Sequence, residues 1–132
     1  MSETLLEVRD LATHFFTRAG VVKSVDGVSF SLRRGEVLGL VGESGSGKSV
    51  TGFSLLGLID PPGRIVSGSI LFEGRELVGM KPKEITAVRG KRIAMVFQDP
   101  TMTLNPLLTV ADQMRLAMLA HARVSQKAIR DR

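Results

Sequence analysis

The sequence predicts an α/β fold with an antiparallel β part at its N-terminus, because two kinds of apolar pattern occur in it. Residues 28–32, Val-Ser-Phe-Ser-Leu, alternate apolar and polar side chains, as expected of a strand with one covered face. Residues 37–41 and 93–97 are uninterrupted apolar runs, which are typical of parallel strands covered on both faces. Strands first, then a mixed core and finally helices indicate this fold class.

The other predicted strands lie on either side of the first apolar run. Residues 5–9 predict a short strand ahead of residues 28–32, and residues 67–74 predict a further strand that ends in a glycine turn. Residues 34–36, Arg-Gly-Glu, predict the bend into the run at 37–41.

Three helices are predicted. The first covers 48–59 and stops at the helix breaker Asp-Pro-Pro-Gly of residues 60–63. The second is a short polar helix at 83–88, and the third begins at Val110. Its apolar face is predicted from helical spacing. The positions on that face are Val110, Met114, Ala117, Met118 and His121.

Composition excludes several classes of protein. The 132 residues form one domain at most, and the lack of cysteine excludes a disulfide framework, a thiol nucleophile and a thiolate metal site. The net charge of +5 is compatible with nucleic acid, but the chain has no Trp or Tyr for base stacking, so we expect no nucleic-acid partner. No apolar stretch approaches the roughly 20 residues of a membrane span, and the N-terminus does not resemble a signal peptide.

The strongest functional signal is the segment 42–49, which matches the phosphate-binding loop pattern G-x-x-x-x-G-K-[ST] at every fixed position. It follows a predicted strand and opens a predicted helix, which is the order that such a loop requires. A glycine- and serine-rich turn that binds nothing is the alternative, and this context disfavours it. The predicted nucleotide-binding residues are Gly42, Glu43, Ser44, Gly45, Ser46, Gly47, Lys48, Ser49 and Val50.

Each fixed residue of the loop has a chemical role. The glycines let backbone amides close around the phosphates, and Lys48 neutralises the terminal phosphates. Ser49 offers its hydroxyl to Mg²⁺. The N-terminus of the helix adds unpaired amides and the positive end of its dipole, so the sequence predicts a nucleoside triphosphate site.

A second signal is Gln98, which follows the apolar run at 93–97. In α/β folds the carboxyl ends of parallel strands are where ligands bind. The amide oxygen of a glutamine there can bind Mg²⁺ and its amide group can orient a water molecule. An ordinary polar residue at a strand end is the alternative.

With both motifs in order, the chain resembles the ATP-binding subunits of ABC transporters, and within them the importers of dipeptides, oligopeptides and nickel. The resemblance covers nearly the whole chain. It is carried by residues 25–30, 41–49, 68–74 and 89–100, including the segment Arg-Gly-Lys-Arg and the ending Gln-Asp-Pro. Residues 101–103 are Thr-Met-Thr where this group more often has Met-Thr-Ser.

The resemblance implies a domain organisation and further site residues. Residues 1–106 would be the N-terminal part of an ABC nucleotide-binding domain, with its β-subdomain and phosphate-loop core, and residues 107–132 would begin the helical subdomain. Gln98 would be the Q-loop glutamine, which acts with Lys48 in catalysis and with Ser49 at Mg²⁺. Phe15 best matches the aromatic residue that stacks on adenine, with Phe16 as the neighbouring alternative. Neither histidine matches a catalytic position.

The resemblance also implies partners and a location. ATP and Mg²⁺ would be bound between two ATP-binding subunits, which would act on transmembrane permease subunits and, indirectly, on a substrate-binding protein. Such a subunit lies at the cytoplasmic face of the membrane as a peripheral protein.

Two elements that such an enzyme needs for hydrolysis are missing from the 132 residues. They contain no Leu-Ser-Gly-Gly-Gln signature and no apolar strand that ends in Asp-Glu. Because the acidic residues hold the metal ion and orient the water, we expect the chain to bind ATP but to hydrolyse it poorly. The favoured interpretation is the N-terminal part of a longer importer ATPase. The alternatives are a genuinely short nucleotide-binding protein and another phosphate-loop enzyme, such as a small-molecule kinase that uses Asp99.

Overall fold

The computed structural model describes residues 3–121, and these divide into two compact units. The first unit ends at Ile85 and holds a sheet and one helix, which lies in the connection between the second and third strands. The second unit begins at Thr86. A short helix, α2 (Pro82–Val88), contains the boundary between them. The phosphate-loop segment belongs to the first unit and Gln98 belongs to the second.

The first unit is built on a four-stranded antiparallel sheet in the order β2-β1-β3-β4. The strands are β1 (Thr4–Thr17), β2 (Gly20–Arg33), β3 (Gly63–Phe72) and β4 (Arg75–Glu76). The predicted antiparallel part is therefore present, but β1 and β2 are 14 residues each, far longer than the pattern predicted. Irregular register explains the difference, because breaks after Val8, Leu11 and Thr13 interrupt the alternation that identifies a strand in sequence.

Helix α1 (Lys48–Leu55) packs against β1 through a buried pair of hydroxyl groups. Thr13 Oγ1 and Ser54 Oγ lie 2.8 Å apart, and Ser54 Oγ donates to the carbonyl of Val50 at 2.7 Å. Since the one proton of Ser54 is used in that bond, Thr13 is the donor to Ser54. Both side chains are almost fully buried, and each has its hydrogen bond.

Helix α1 ends four residues before the predicted stop at Ile59. Gly57 adopts a left-handed conformation with φ 61°, its amide donates to Ser54 O at 3.1 Å, and the Leu58 amide donates to Phe53 O at 2.8 Å. These two bonds form a Schellman cap, which satisfies the last carbonyl groups of the helix. The glycine at position 57 is therefore the stop signal, ahead of the prolines.

The core of the first unit is formed by side chains of the sheet and of the end of α1. The buried apolar residues of β1, β2 and β3 and of the C-cap of α1 are Leu6, Val8, Leu11, Ala12, Val25, Leu56 and Ile70. These side chains come from segments that are up to about 60 residues apart in the chain, and their burial is what holds the hairpin of β1 and β2 to β3.

The prediction of buried strands at 37–41 and 93–97 is wrong for the part of the chain that the structure describes. No residue of 37–41 pairs in a sheet, and Val37 and Val41 are 95% and 93% exposed. In the second run, Ile93 forms one isolated parallel bridge with Arg89, and Val96 is 96% exposed. An apolar run shows a preference for burial, but a parallel strand also needs a neighbour along its edge, and none of the described segments supplies one.

The second unit contains a 3-10 helix at Pro100–Thr103 and helix α3 (Val110–Leu119). Helix α3 begins at the predicted residue, Val110, and is capped by Thr109, which accepts a hydrogen bond from the Asp112 amide at 3.1 Å. The side chains of its predicted apolar face, such as Val110 and Met114, are exposed in the structure. No helix among residues 3–121 is long and apolar enough to cross a membrane.

One carboxylate ties the short strand β4 to β3. Glu76 accepts hydrogen bonds from the Ser69 hydroxyl, from the Ile70 amide at 2.9 Å and from the Val78 amide at 3.0 Å. Partial burial alone would raise the pKa of the Glu76 carboxyl, but the hydrogen bonds from Ser69 and the backbone amides outweigh it and lower the pKa below its ordinary value.

We therefore predict that Glu76 stabilises the fold in a pH-dependent way. Because its pKa is lower in the folded state, the stabilisation is complete above the unfolded pKa near 4.5 and is lost as the pH falls through the folded value. Glu76→Gln should lower the free energy of unfolding by about 1 kcal/mol at pH 7, and by much less at pH 3. Urea unfolding at the two pH values checks this. Glu3→Gln is the control, because it removes the same charge from an exposed carboxylate that lies 3.7 Å from its partner Arg34. An equal loss at both pH values would contradict it.

Candidate nucleotide-binding site

The loop at 42–47 ends at the N-terminus of α1. Gly47 caps the helix in a left-handed conformation with φ 92°, and its carbonyl accepts from both the amide and the hydroxyl of Thr51, at 2.9 and 2.8 Å. In the described chain no side chain caps this end of α1, and no acidic residue lies in its first turn. The amides of the first turn and the positive end of the helix dipole are therefore available to an anion.

Two glycines of the loop lie close to neighbouring groups, and at Gly47 the neighbour is backbone that cannot rotate away. A Cβ atom added to Gly47 would lie 2.1 Å from the carbonyl oxygen of Ser24 in β2, and one added to Gly42 would lie 2.4 Å from Ser46 Oγ. Gly45 differs, because its φ of +80° favours glycine but a Cβ atom there would meet nothing within 4 Å. The loop is thus folded tightly on itself at Gly42 and pressed against the sheet at Gly47.

The ammonium group of Lys48 lies inside the loop. Lys48 Nζ donates to the carbonyl oxygens of Gly42 and Glu43 at 2.6 and 2.7 Å, and to Ser46 Oγ at 3.2 Å. A lysine has three N–H donors, so these contacts engage all of them. They fix a positive charge at the centre of the loop.

The residues predicted to hold Mg²⁺ have chemistry that fits the ion. Ser49 is exposed at the second residue of α1, and Gln98 is exposed in the second unit. A hydroxyl oxygen and an amide oxygen are both hard ligands of the kind that Mg²⁺ binds together with water and phosphate oxygens. Within residues 3–121 there is no cluster of three acidic or histidine side chains that could hold a metal ion.

The tandem aromatic residues of β1 lie on opposite faces of the sheet. In the regular pairing of β1 with β3, Thr13 is opposite Ile65, His14 is opposite Arg64 and Phe15 is opposite Gly63. Because side chains alternate along a strand, Phe15 shares its face with Thr13, whose hydroxyl contacts α1.

Phe16 shares the other face with His14 and Arg64. The Arg64 guanidinium carbon lies 4.5 Å from the Phe16 ring centroid, and the His14 and Phe16 ring centroids are 6.5 Å apart. A cation over a ring at this distance is a favourable contact. Of the two aromatic residues, only Phe15 is on the side of the sheet to which α1 is attached.

The chain after Gln98 is held by a cap. Asp99 accepts hydrogen bonds from the Thr101 amide at 3.1 Å and the Thr101 hydroxyl at 2.6 Å at the start of the 3-10 helix. The hydrogen bond from the Thr101 hydroxyl lowers the pKa of the Asp99 carboxyl. These bonds give Asp99 a structural role that needs no acceptor substrate.

Gln113 of α3 is a residue that sequence reasoning missed. Its Oε1 atom accepts from the Asn105 amide at 2.9 Å, and its Nε2 atom donates to the carbonyls of Asn105 and Leu108 at 3.1 and 3.2 Å. Asn105 Oδ1 in turn accepts from the Leu107 amide at 2.9 Å. The side chain thus holds the end of the segment that follows Gln98 against α3. The asparagine before Pro106 signals a turn, but nothing in the sequence shows which side chain binds that turn.

The family of the chain follows from comparison with known proteins. A profile of the ABC transporter family matches residues 25–132. The chain belongs to the ABC transporter family. Its predicted membership is thereby confirmed.

Similar proteins in the family are named for peptide transport. The chain is 49% identical over 129 residues to the oligopeptide transport ATP-binding protein OppD of Bacillus subtilis (strain 168), covering 97% of this chain and 36% of that protein. It is 46% identical over 129 residues to the dipeptide transport ATP-binding protein DppD of the same organism, covering 97% of this chain and 38% of that protein. The chain therefore spans little more than a third of the length of these relatives.

The fold agrees with that of solved ABC cassettes. The dimeric structure of MJ0796, a bacterial ABC transporter cassette, superposes with a TM-score of 0.81 at 22% sequence identity, covering 96% of this chain and 53% of that one. A post-hydrolysis structure of the same cassette bound to ADP and Pi gives a TM-score of 0.78 at 20% identity, again covering 96% and 53%. The predicted fold class is confirmed.

The packing of Gly47 gives a testable prediction. Gly47→Ala adds a methyl group 2.1 Å from Ser24 O in a left-handed conformation, so the loop must move away from β2. We expect a loss of more than about 2 kcal/mol in the free energy of unfolding. Gly45→Ala is the matched control, since it has the same backbone strain but no collision, and it should cost only about 1 kcal/mol. Urea unfolding measures both, and equal losses would contradict the role given to Ser24.

Proposed function

We propose that this chain is the nucleotide-binding, N-terminal part of the ATP-binding subunit of an ABC importer of peptides. The observation that supports this most directly is the phosphate loop itself, in which Lys48 is held by the Gly42 and Glu43 carbonyls at the uncapped start of α1. An uncapped helix start with a fixed cation is suited to a triphosphate.

In this proposal each predicted residue has one task. The backbone amides of 42–50 and the ammonium group of Lys48 bind the phosphates of ATP. The ring of Phe15 stacks on the base, on the same face of β1 as the Thr13 hydroxyl that contacts α1. Ser49 and Gln98 hold Mg²⁺, which supplies charge neutralisation at the terminal phosphates when it is bound. Gln98 also orients the attacking water.

Peptides are the proposed cargo because the similar relatives are named oligopeptide and dipeptide transport ATP-binding proteins. Nickel remains the alternative cargo that the sequence resemblance includes. The proposed partners are a second ATP-binding subunit, transmembrane permease subunits and, indirectly, a substrate-binding protein. The proposed location is the cytoplasmic face of the membrane.

The 132 residues alone are proposed to bind ATP without sustained hydrolysis. They lack the Leu-Ser-Gly-Gly-Gln signature and an apolar strand ending in Asp-Glu, which the family uses for the partner's phosphate contact and for the metal ion. A steady turnover of Mg-ATP by this chain, abolished by Lys48→Ala, would exclude this part of the proposal.

Calorimetric titration with Mg-ATP tests the site. Lys48→Ala removes the positive charge at the centre of the loop, so we expect affinity for the phosphates to fall about 10- to 100-fold. Lys83→Ala is the control, because it removes the same charge from α2. If both variants bind Mg-ATP as the unmodified chain does, the phosphate site is elsewhere.

The two aromatic residues provide a matched pair of variants. Phe15→Leu should weaken ATP binding about 5- to 150-fold, since base stacking on a ring contributes about 1–3 kcal/mol. Phe16→Leu should change it by less than about twofold, because Phe16 faces the other side of the sheet under Arg64. Titration with ATP measures both, and a larger effect at Phe16 would reverse the assignment.

A further inference from the structure

Gly63 is a buried glycine that lies directly opposite Phe15 in the pairing of β1 with β3. A Cβ atom added to it would lie 2.5 Å from Phe15 Cε1, 2.7 Å from Phe15 Cδ1 and 2.9 Å from Ile59 Cγ2. Real Cβ atoms are not found this close to other atoms, so one side of the Phe15 ring occupies the place where a side chain at position 63 would be.

The backbone at Gly63 does not itself require glycine. Gly63 is not among the glycines with positive φ, so an alanine could adopt its backbone conformation. The position therefore excludes a side chain for reasons of space only, and the space is taken mainly by the ring of Phe15, with Ile59 Cγ2 slightly further away.

The strand at Gly63 is also fixed, so the ring would have to move if a side chain were added. The Gly63 amide donates to Asp60 O at 2.9 Å, and the Phe16 amide donates to Pro62 O at 2.9 Å. These bonds anchor the start of β3 on both sides of the glycine. An added methyl group would be carried by a held backbone, and the atoms that it would meet belong to the Phe15 ring and to Ile59 Cγ2.

The residue after Gly63 covers an aromatic ring instead of leaving space beside one. Arg64 lies over Phe16, with its guanidinium carbon 4.5 Å from the ring centroid. Gly63 therefore leaves room for the Phe15 ring on the α1 face of the sheet, and Arg64 covers the Phe16 ring on the opposite face.

We propose that Gly63 is a positioning residue for nucleotide recognition, which sets the orientation of the Phe15 ring so that its free side can stack on the base. This rests on the proposed function, in which Phe15 is the stacking residue. A side chain at position 63 would push the ring toward the space that the base needs. The contribution of Gly63 is therefore to base affinity alone, and the phosphate contacts of the loop do not depend on it.

Two ligands separate this role from a general structural one. ATP uses both the ring and the phosphate loop, whereas inorganic tripolyphosphate uses only the loop. Gly63→Ala should weaken Mg-ATP about fivefold or more and leave Mg-tripolyphosphate within about twofold. Ser67→Ala, at an exposed position of the same strand, should change neither affinity. Retained tripolyphosphate binding also shows that the variant is folded.

A double variant tests whether Gly63 acts through the ring. In the Phe15→Leu background the smaller side chain leaves room for the added methyl group, so Gly63→Ala should not lower the ratio of ATP to tripolyphosphate affinity further. The proposal is overturned if Gly63→Ala leaves ATP affinity unchanged, if it weakens both ligands equally, or if the two substitutions lower the ratio independently. If the unmodified chain binds neither ligand through Lys48, it is the proposed function that fails.

Discussion

The contact on which the candidate site depends is the close approach of Gly47 to the carbonyl of Ser24. It leaves no room for a Cβ atom between the phosphate loop and β2. A loop of this kind has few side chains of its own to pack, and its backbone must be fixed by the surface beneath it. Here that surface is the antiparallel sheet, and the Thr13–Ser54 hydrogen bond fixes the helix that follows on the adjacent strand. Loop and helix are thus attached to two neighbouring strands at two points.

Because of this attachment, strand β1 can take part in the candidate nucleotide site although it is distant from the loop in sequence. Thr13 holds α1 by its hydroxyl, and Phe15 lies two residues further along the same face of β1. A single strand therefore carries both the anchor of α1 and the proposed base-stacking ring. Because the anchor is buried and fully hydrogen bonded, breaking it would leave a buried hydroxyl unpaired at a cost of about 1–3 kcal/mol. The separation between the anchor of α1 and the Phe15 ring is set by a short piece of strand.

The sequence predicts the local parts of this arrangement well. The start of α1 and the start of α3 follow from motifs and caps within a few residues, and the structure has both in place. The parts that depend on distant segments were not predictable. Position 37 begins an apolar run, and apolar character alone says nothing about whether a partner strand lies beside it. Likewise, no pattern shows that Gln113 binds the backbone of Asn105, since the two are joined by a turn whose geometry only the structure gives.

The register of β1 determines whether Phe15 or Phe16 lies on the α1 side of the sheet. The fully buried side chains of β1 are Val8 before residue 10, then Leu11 and Thr13 after it, so the buried positions change from even to odd along the strand. The change occurs at a bulge, where Asp10 has a positive φ of 46° and its amide donates to Ser29 Oγ at 2.8 Å.

Without the extra residue, the alternation that begins at Leu6 and Val8 would continue through the even positions and bring Phe16 to the helix side. Gly68 makes the bulge possible from the other strand, because its α-carbon lies against the backbone of Leu11 with no room for a side chain. The identity of the ring on the α1 side of the sheet is thus decided five residues earlier in β1, by a backbone irregularity that hydrophobic patterning cannot detect.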